Sequence, residues 1–188
     1  MARRLRALIP ETEVHIFEYR SRHHSLEEVA DQLADFIDAT TRGAPVSFVA
    51  HSLGGLIVRA VDARANTQSP LKRLITLGSP HQGSSVARLL SRSKLLSAIG
   101  GPILSQLATP PLPNRAQHLE IGCIIGATGT RFGFFPLLPG DNDGLVSTAE
   151  AILPGARSTL EIAMVHALFP FSSRATLLAA RFLQQGHF

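Results

Sequence analysis

Where a run of β-forming residues gives way to a helical pattern, the chain reads Val49-Ala50-His51-Ser52-Leu53-Gly54-Gly55-Leu56. A serine at such a junction has two uses. It can cap the following helix, or it can act as a nucleophile if a histidine takes its proton and a carboxylate orients that histidine. Ala50 and Gly54, two residues before and two after, would leave room for a tight, strained turn that pushes the hydroxyl out of a sheet. The other residue types follow downstream. The stretch Pro139-Gly140-Asp141-Asn142-Asp143-Gly144-Leu145-Val146-Ser147 offers two carboxylates, and the chain holds eight histidines. A plain solvated turn is the alternative for the acidic stretch. The single cysteine, Cys123, lies in the apolar run Ile121-Gly122-Cys123-Ile124-Ile125. It excludes an internal disulfide and reads as a small packed residue, not a nucleophile.

These groups need elements to position them. Residues 14–17 (VHIF), 46–50, 71–77, 119–125 and 159–163 are short β-rich runs. Ser25-Leu26-Glu27-Glu28 has the capping-box pattern and precedes Leu26, Val29, Leu33, Phe36 and Ile37 at helical spacing. A second helical pattern runs from Leu56 to about Asn66, and Ser172 or Ser173 caps a final helix that stops at Gly186. Residues 1–9 carry Ala2, Leu5, Leu8 and Ile9 near helical spacing. Short apolar strands alternating with amphipathic helices predict an α/β fold, with a mostly parallel central sheet and helices on both faces. The whole chain, 1–188, reads as one domain. Residues 84–118 exceed what one crossover helix needs, so either a small cap or a helix plus a surface loop is expected there.

The serine stretch has the nucleophile-elbow pattern G-x-S-x-G with alanine at the first glycine, and it resembles the elbow of lipases and esterases of the α/β-hydrolase superfamily. That fold implies the order serine, acid, histidine. Asn142-Asp143-Gly144-Leu145-Val146-Ser147 resembles the acid loop of bacterial lipases, which points to Asp143, with Asp141 as runner-up. Among the histidines, His15, His23, His24 and His51 precede the acid, and His51 also adjoins the nucleophile. His118 enters a strand from the wrong end and His187 is in the tail. His166 remains, between the last strand and the last helix. Leu77-Gly78-Ser79-Pro80-His81-Gln82-Gly83-Ser84 resembles the strand-end loop of lipase-like hydrolases, including the GPI inositol-deacylase-like group. The resemblance implies that Ser79 and His81 line the active-site rim and that the Leu53 N–H is an oxyanion donor.

The same resemblance implies a second oxyanion donor from a loop after an earlier strand, which this chain does not contain. That strand belongs between residues 14–17 and 46–50 in the hydrolase sheet, so Met1 is expected to be internal to a longer protein.

Composition sets outer limits. With 188 residues, 45% hydrophobic and 17% charged, the chain can bury a sizeable core. The net charge is +4 and the pI about 10.2. The cations are nevertheless scattered, with only Arg3, Arg4 and Arg6 clustered, and no nucleic-acid motif is present. No apolar run approaches the ~20 residues of a membrane span, and the N-terminus is too weakly apolar for a secretory signal. A cytoplasmic location follows as the expectation, subject to what precedes Met1. The apolar stretch Phe132-Gly133-Phe134-Phe135-Pro136-Leu137-Leu138-Pro139 abuts the acid loop. Phe134 and Phe135 are candidates to line an acyl pocket or touch a lipid surface, with burial in the core as the alternative.

The expected activity is cleavage of carboxylic esters, small-molecule or lipid, by Ser52, Asp143 and His166 through an acyl-enzyme, with no metal or organic cofactor. An acyltransferase, an amidase or a non-catalytic binding module would use the same residues.

Overall fold

A computed structural model of the chain describes residues 1–21, 23–91, 102, 106–107 and 118–188. Four strands, β1 (Val46–His51), β2 (Leu71–Leu77), β3 (Glu120–Ala127) and β4 (Ser158–Ala163), form one sheet in the order β1-β2-β3-β4. Every neighbouring pair is parallel, with Val49 opposite Ile75, Ile75 opposite Gly122, and Ile124 opposite Leu160. Because successive side chains of a strand point to opposite faces, each strand feeds two cores. Leu74, Ile121, Cys123 and Ile125 face one side. Ile75, Leu77, Ile124 and Ile162 face the other.

Helices α2 (Leu26–Thr41) and α3 (Leu53–Arg64) cover the first face. The expected capping box starts α2: the Ser25 hydroxyl accepts from Glu28 N–H at 3.1 Å, and the Glu28 carboxylate accepts from Ser25 N–H at 2.8 Å. The C-terminal helix (Ser173–Gln185) covers the second face and also packs against α1 (Ala2–Leu8). It starts at the Ser172 cap and ends at Gly186, whose φ is 79°. Its Phe182 packs against β3, so close that a Cβ on Gly122 would fall 2.7 Å from the ring.

Four of the five expected strands are present. Residues 14–17 have no regular secondary structure and belong to no sheet among the described residues, and β1 is the sheet's edge. β-branched and aromatic residues supply the propensity for a strand, but only a partner supplies the ladder. Phe17 instead packs on α2, with its ring 5.3 Å from Phe36 and 5.8 Å from Tyr19, while Ile16 is 62% exposed. Within residues 84–118, α4 (Ser85–Ser91) is helical and Leu107 packs against the first core. Leu95, Leu96, Ile99, Ile103, Leu104 and the proline-rich residues 109–113 lie outside the described residues, and the choice between a cap and a loop falls on them.

Phe182 is fully buried at the centre of the second core. Phe182→Ala should therefore lower the unfolding free energy by about 3–5 kcal/mol, measured by denaturant titration.

Candidate active site

Parallel strands all end at the same side of a sheet, and in such folds chemistry gathers beyond their C-terminal ends. Ser52 follows β1 there and is the N-cap of α3, with φ 54° and ψ −124°. Residues with a Cβ avoid this region, at a cost on the order of 1–3 kcal/mol. Two backbone bonds hold the turn. Ser52 N–H donates to the Leu77 carbonyl at 2.9 Å, and the Ser52 carbonyl accepts from Gly55 N–H at 3.2 Å.

The tightest fit in the turn is at Gly55. A Cβ there would collide with the Ser79 hydroxyl and lie 2.9 Å from Thr76 Cγ2. One on Gly54 would make only ordinary contact with Ala50, at 3.5 Å. The Leu53 N–H begins α3 and has no acceptor among the described residues. It lies at the positive end of the helix dipole.

Asp143 is buried in the loop beyond β3. Its Oδ1 accepts from Leu145 N–H at 3.0 Å and Val146 N–H at 2.8 Å. Its Oδ2 accepts from His166 Nδ1 at 2.7 Å. The backbones are joined too, since His166 N–H donates to the Asp143 carbonyl at 2.8 Å. With the proton on Nδ1, the Nε2 of His166 keeps a lone pair that can accept a proton.

Glycines on the two neighbouring strands make room for the pair. A Cβ on Gly78, whose φ is 58°, would lie 2.8 Å from Asp143 Oδ2 and 3.2 Å from His166 Nδ1. One on Gly126 would lie 2.6 Å from Asp143 Cβ. Ser52 Oγ and His166 share no hydrogen bond among the described residues. The turn at Ser52 reaches His166 through His51, whose Nε2 lies 3.0 Å from the His166 carbonyl.

Asp141, the runner-up carboxylate, serves the fold. It accepts from Thr128 N–H and Asn142 N–H, each at 2.8 Å, and from Gly129 N–H at 2.7 Å. Burial raises its pKa, but these bonds outweigh that and hold the carboxyl below its ordinary value. Between the two aspartates, Asn142 is fully buried and ties the aromatic segment to the acid loop. Its Oδ1 accepts from Phe135 N–H and Gly144 N–H, each at 2.9 Å, and its Nδ2 donates to the carbonyls of Phe135 and Gly140 at 3.1 and 3.0 Å. Phe134 and Phe135 stand in solvent beside this loop and not in the core, as do Phe132 and the 82% exposed Leu137.

The expectation that Ser79 and His81 line a rim is corrected by their burial. The Ser79 side chain packs over Gly55, and His81 is 0% exposed. Arg59 Nη1 donates to His81 Nδ1 at 3.2 Å, so His81 Nε2–H donates to Thr76 Oγ1 at 3.1 Å, and Thr76 Oγ1 donates to the Gly122 carbonyl at 3.4 Å. A neutral imidazole is wedged between a cation and a hydroxyl, behind the elbow helix. Among the described residues, no group of His, Cys, Asp and Glu is placed to hold a metal ion, and no helix is long and apolar enough to cross a membrane.

The residues that sequence reasoning missed are Gly55, Gly78, Gly126, Asn142 and His51. All but Gly126 carried a signal, since each of the other four lies within a stretch singled out for other residues.

The profile of the family described as palmitoyl protein thioesterase matches residues 1–109, a span that holds the elbow and the Gly78 loop. The chain belongs to this family. The mature form of the Bacillus licheniformis lipase BlEst2 has the same fold, with a TM-score of 0.62 at 18% identity, over 90% of this chain and 76% of that one. Its propeptide form aligns with a TM-score of 0.63 at 21% identity, over 80% of this chain but 38% of that one. A metagenomic carboxyl esterase aligns with a TM-score of 0.59 at 19% identity, over 86% of this chain and 63% of that one. The NocB thioesterase domain, in covalent complex with a fluorophosphonate nocardicin G analogue, aligns with a TM-score of 0.56 at 14% identity, over 96% of this chain and 85% of that one. None of the curated proteins matches the chain. The fold is that of the α/β-hydrolases, and family and fold together point to a hydrolase of the lipase, esterase or thioesterase type.

Burial, and after it the charge of Arg59, lowers the His81 pKa from 6.5 to about 3. Between those values the unfolded chain binds the proton and the folded chain does not. Stability is therefore complete above pH 6.5 and falls as the pH drops toward 3, by up to about 1.4 kcal/mol per pH unit. His81→Gln should flatten this part of the stability profile, measured by urea unfolding at a series of pH values.

Proposed function

We propose that the protein is a serine hydrolase that cleaves acyl esters or thioesters through an acyl-enzyme, with Ser52 as nucleophile, His166 as base and Asp143 as its orienting acid. The observation that carries this reading is the 2.7 Å bond from His166 Nδ1 to a buried Asp143, with the base bonded through His51 to the strained turn of Ser52. Ser52 Oγ attacks the acyl carbon while His166 Nε2 takes its proton. The Leu53 N–H stabilises the oxyanion of the tetrahedral intermediate. The imidazolium, held in place by Asp143, returns the proton to the leaving alcohol or thiol. Water then enters by the same steps in reverse and releases the acid. The family's name supports a palmitoyl thioester within this class.

The surroundings of the acid loop support an apolar acyl chain presented at a lipid surface. Phe132, Phe134, Phe135, Leu137 and Leu145 are exposed there, and Arg131 stacks over the Phe132 ring at 4.6 Å. Apolar side chains flanked by a cation suit an anionic bilayer.

A fluorophosphonate probe should label Ser52 and no other residue, located by mass spectrometry. Ser52→Ala and Ser52→Gly should both lose labelling and lower ester turnover by at least ~1000-fold. Glycine tolerates the φ of this turn, so Ser52→Gly should unfold at about 1 kcal/mol higher free energy than Ser52→Ala. Equal stabilities would show that the turn is not strained, and labelling that persists in Ser52→Ala would place the nucleophile elsewhere. At the lipid-facing loop, Leu137→Asp should reduce cosedimentation with phosphatidylglycerol vesicles by about fivefold or more. Hydrolysis of a soluble short-chain ester should stay within about twofold of wild type, because Leu137 is almost fully exposed and outside the triad.

A further inference from the structure

The steps above leave one imidazole at the site without a task. His51 lies between the small Ala50 and the nucleophile, and its Nε2 is 3.0 Å from the backbone carbonyl of His166. Its ring centroid is 4.7 Å from that of His166, with the planes 43° apart, and Phe169 flanks it at 6.1 Å. A carbonyl oxygen only accepts, so His51 Nε2 carries the proton and donates. Both backbone polar groups of His166 are therefore tied, its N–H to Asp143 and its C=O to His51. The first bond sets the base against its acid. The second sets the base against the strand that carries the nucleophile.

We infer that His51 is a positioning residue, which fixes the spacing between Ser52 and His166 by holding the carbonyl of the base from the position next to the nucleophile. This inference rests on the triad proposed above and adds to it the part that joins its two halves. Asp143 and His166 are bonded to each other, whereas Ser52 has no bond to either, so the distance across which the proton must pass depends on what holds β1 to the His166 turn. That connection also limits the charge His51 can carry. The charged and titratable groups facing it are His166 and Asp143. Burial first, and His166 second, hold its pKa below the ordinary imidazole value. His51 thus remains a neutral donor while His166 passes through its cationic form, and the two rings do not oppose each other's charge.

Two substitutions separate positioning from packing. His51→Phe keeps an aromatic ring against His166 and Phe169 but cannot donate. His51→Gln keeps an N–H donor on a side chain of similar reach. In His51→Phe, kcat should fall about tenfold with KM within about twofold, the pattern of a misaligned proton transfer. His51→Gln should recover kcat to within about threefold of wild type, and both variants should keep wild-type melting temperatures. A second readout does not need turnover: the far-downfield proton resonance of His166 Nδ1–H should broaden in His51→Phe and remain sharp in His51→Gln. Wild-type kcat together with an unchanged resonance in His51→Phe would overturn the inference. Losses of kcat that track losses of thermal stability in both variants would overturn it as well, because they mark a packing residue. If the wild-type protein turns over no ester and takes no probe, the triad reading fails by itself, and the resonance alone decides the role of His51.

Discussion

A carboxylate removed from water must find its hydrogen bonds inside the protein or lose its charge, and Asp143 meets that demand in a space only glycine backbones leave free. Two loop N–H groups satisfy one oxygen and the His166 ring satisfies the other. Gly78 at the end of β2 and Gly126 in β3 stand where any side chain would displace the acid. The position of His166 therefore depends on the spacing of two central strands. A shift of the sheet register would reach the imidazole before it reached the surface.

Behind the turn at Ser52, a second polar chain does for the scaffold what Asp143 does for His166. Arg59 of α3, His81 of the loop after β2, Thr76 of β2 and the Gly122 carbonyl of β3 are joined in sequence across a buried layer. Because Arg59 can only donate, His81 Nδ1 must accept, which fixes the His81 tautomer and ties the helix that begins after Ser52 to β2 and β3. The stretch containing His81 was read from its resemblance as part of the site's surface. It instead lies beneath the helix that begins after Ser52, and Ser79, packed over Gly55, is part of the same support.

Much of this was legible before any coordinates. The capping box at Ser25 and Glu28 and the Gly186 stop are local chemistry, and β3 is a near-continuous apolar run buried along its length, whereas β4 alternates exposed and buried residues as an edge strand does. The resemblance of the NDGLVS stretch to a lipase acid loop pointed to Asp143, and the order of serine, acid and histidine pointed to His166; the structure brings the two into contact. Residues 14–17 were not legible in the same way, because their composition states a preference and not the presence of a partner. Asp141 and Asp143 look alike in a string of letters; what separates them is that one carboxylate faces the turn after β3 and the other faces an imidazole from 23 residues further on. His51 was set aside because it precedes the acid in the chain and adjoins Ser52. Its ring nevertheless reaches the His166 carbonyl.

The order in which the two cores close has a consequence for the nascent chain. The first face can be covered once α2, α3 and the early strands exist. The second face, with Ile75, Leu77 and Ile124, waits for a helix that is synthesised after all four strands, and the groups that anchor this helix are spread just as widely. Arg73 of β2 donates to the Leu183 carbonyl at 2.7 Å, and Arg157 to the Gly186 carbonyl at 3.0 Å. On the ribosome the growing chain thus spends part of its synthesis as a sheet with one naked apolar side, the kind of surface that chaperones hold and that aggregates when they do not.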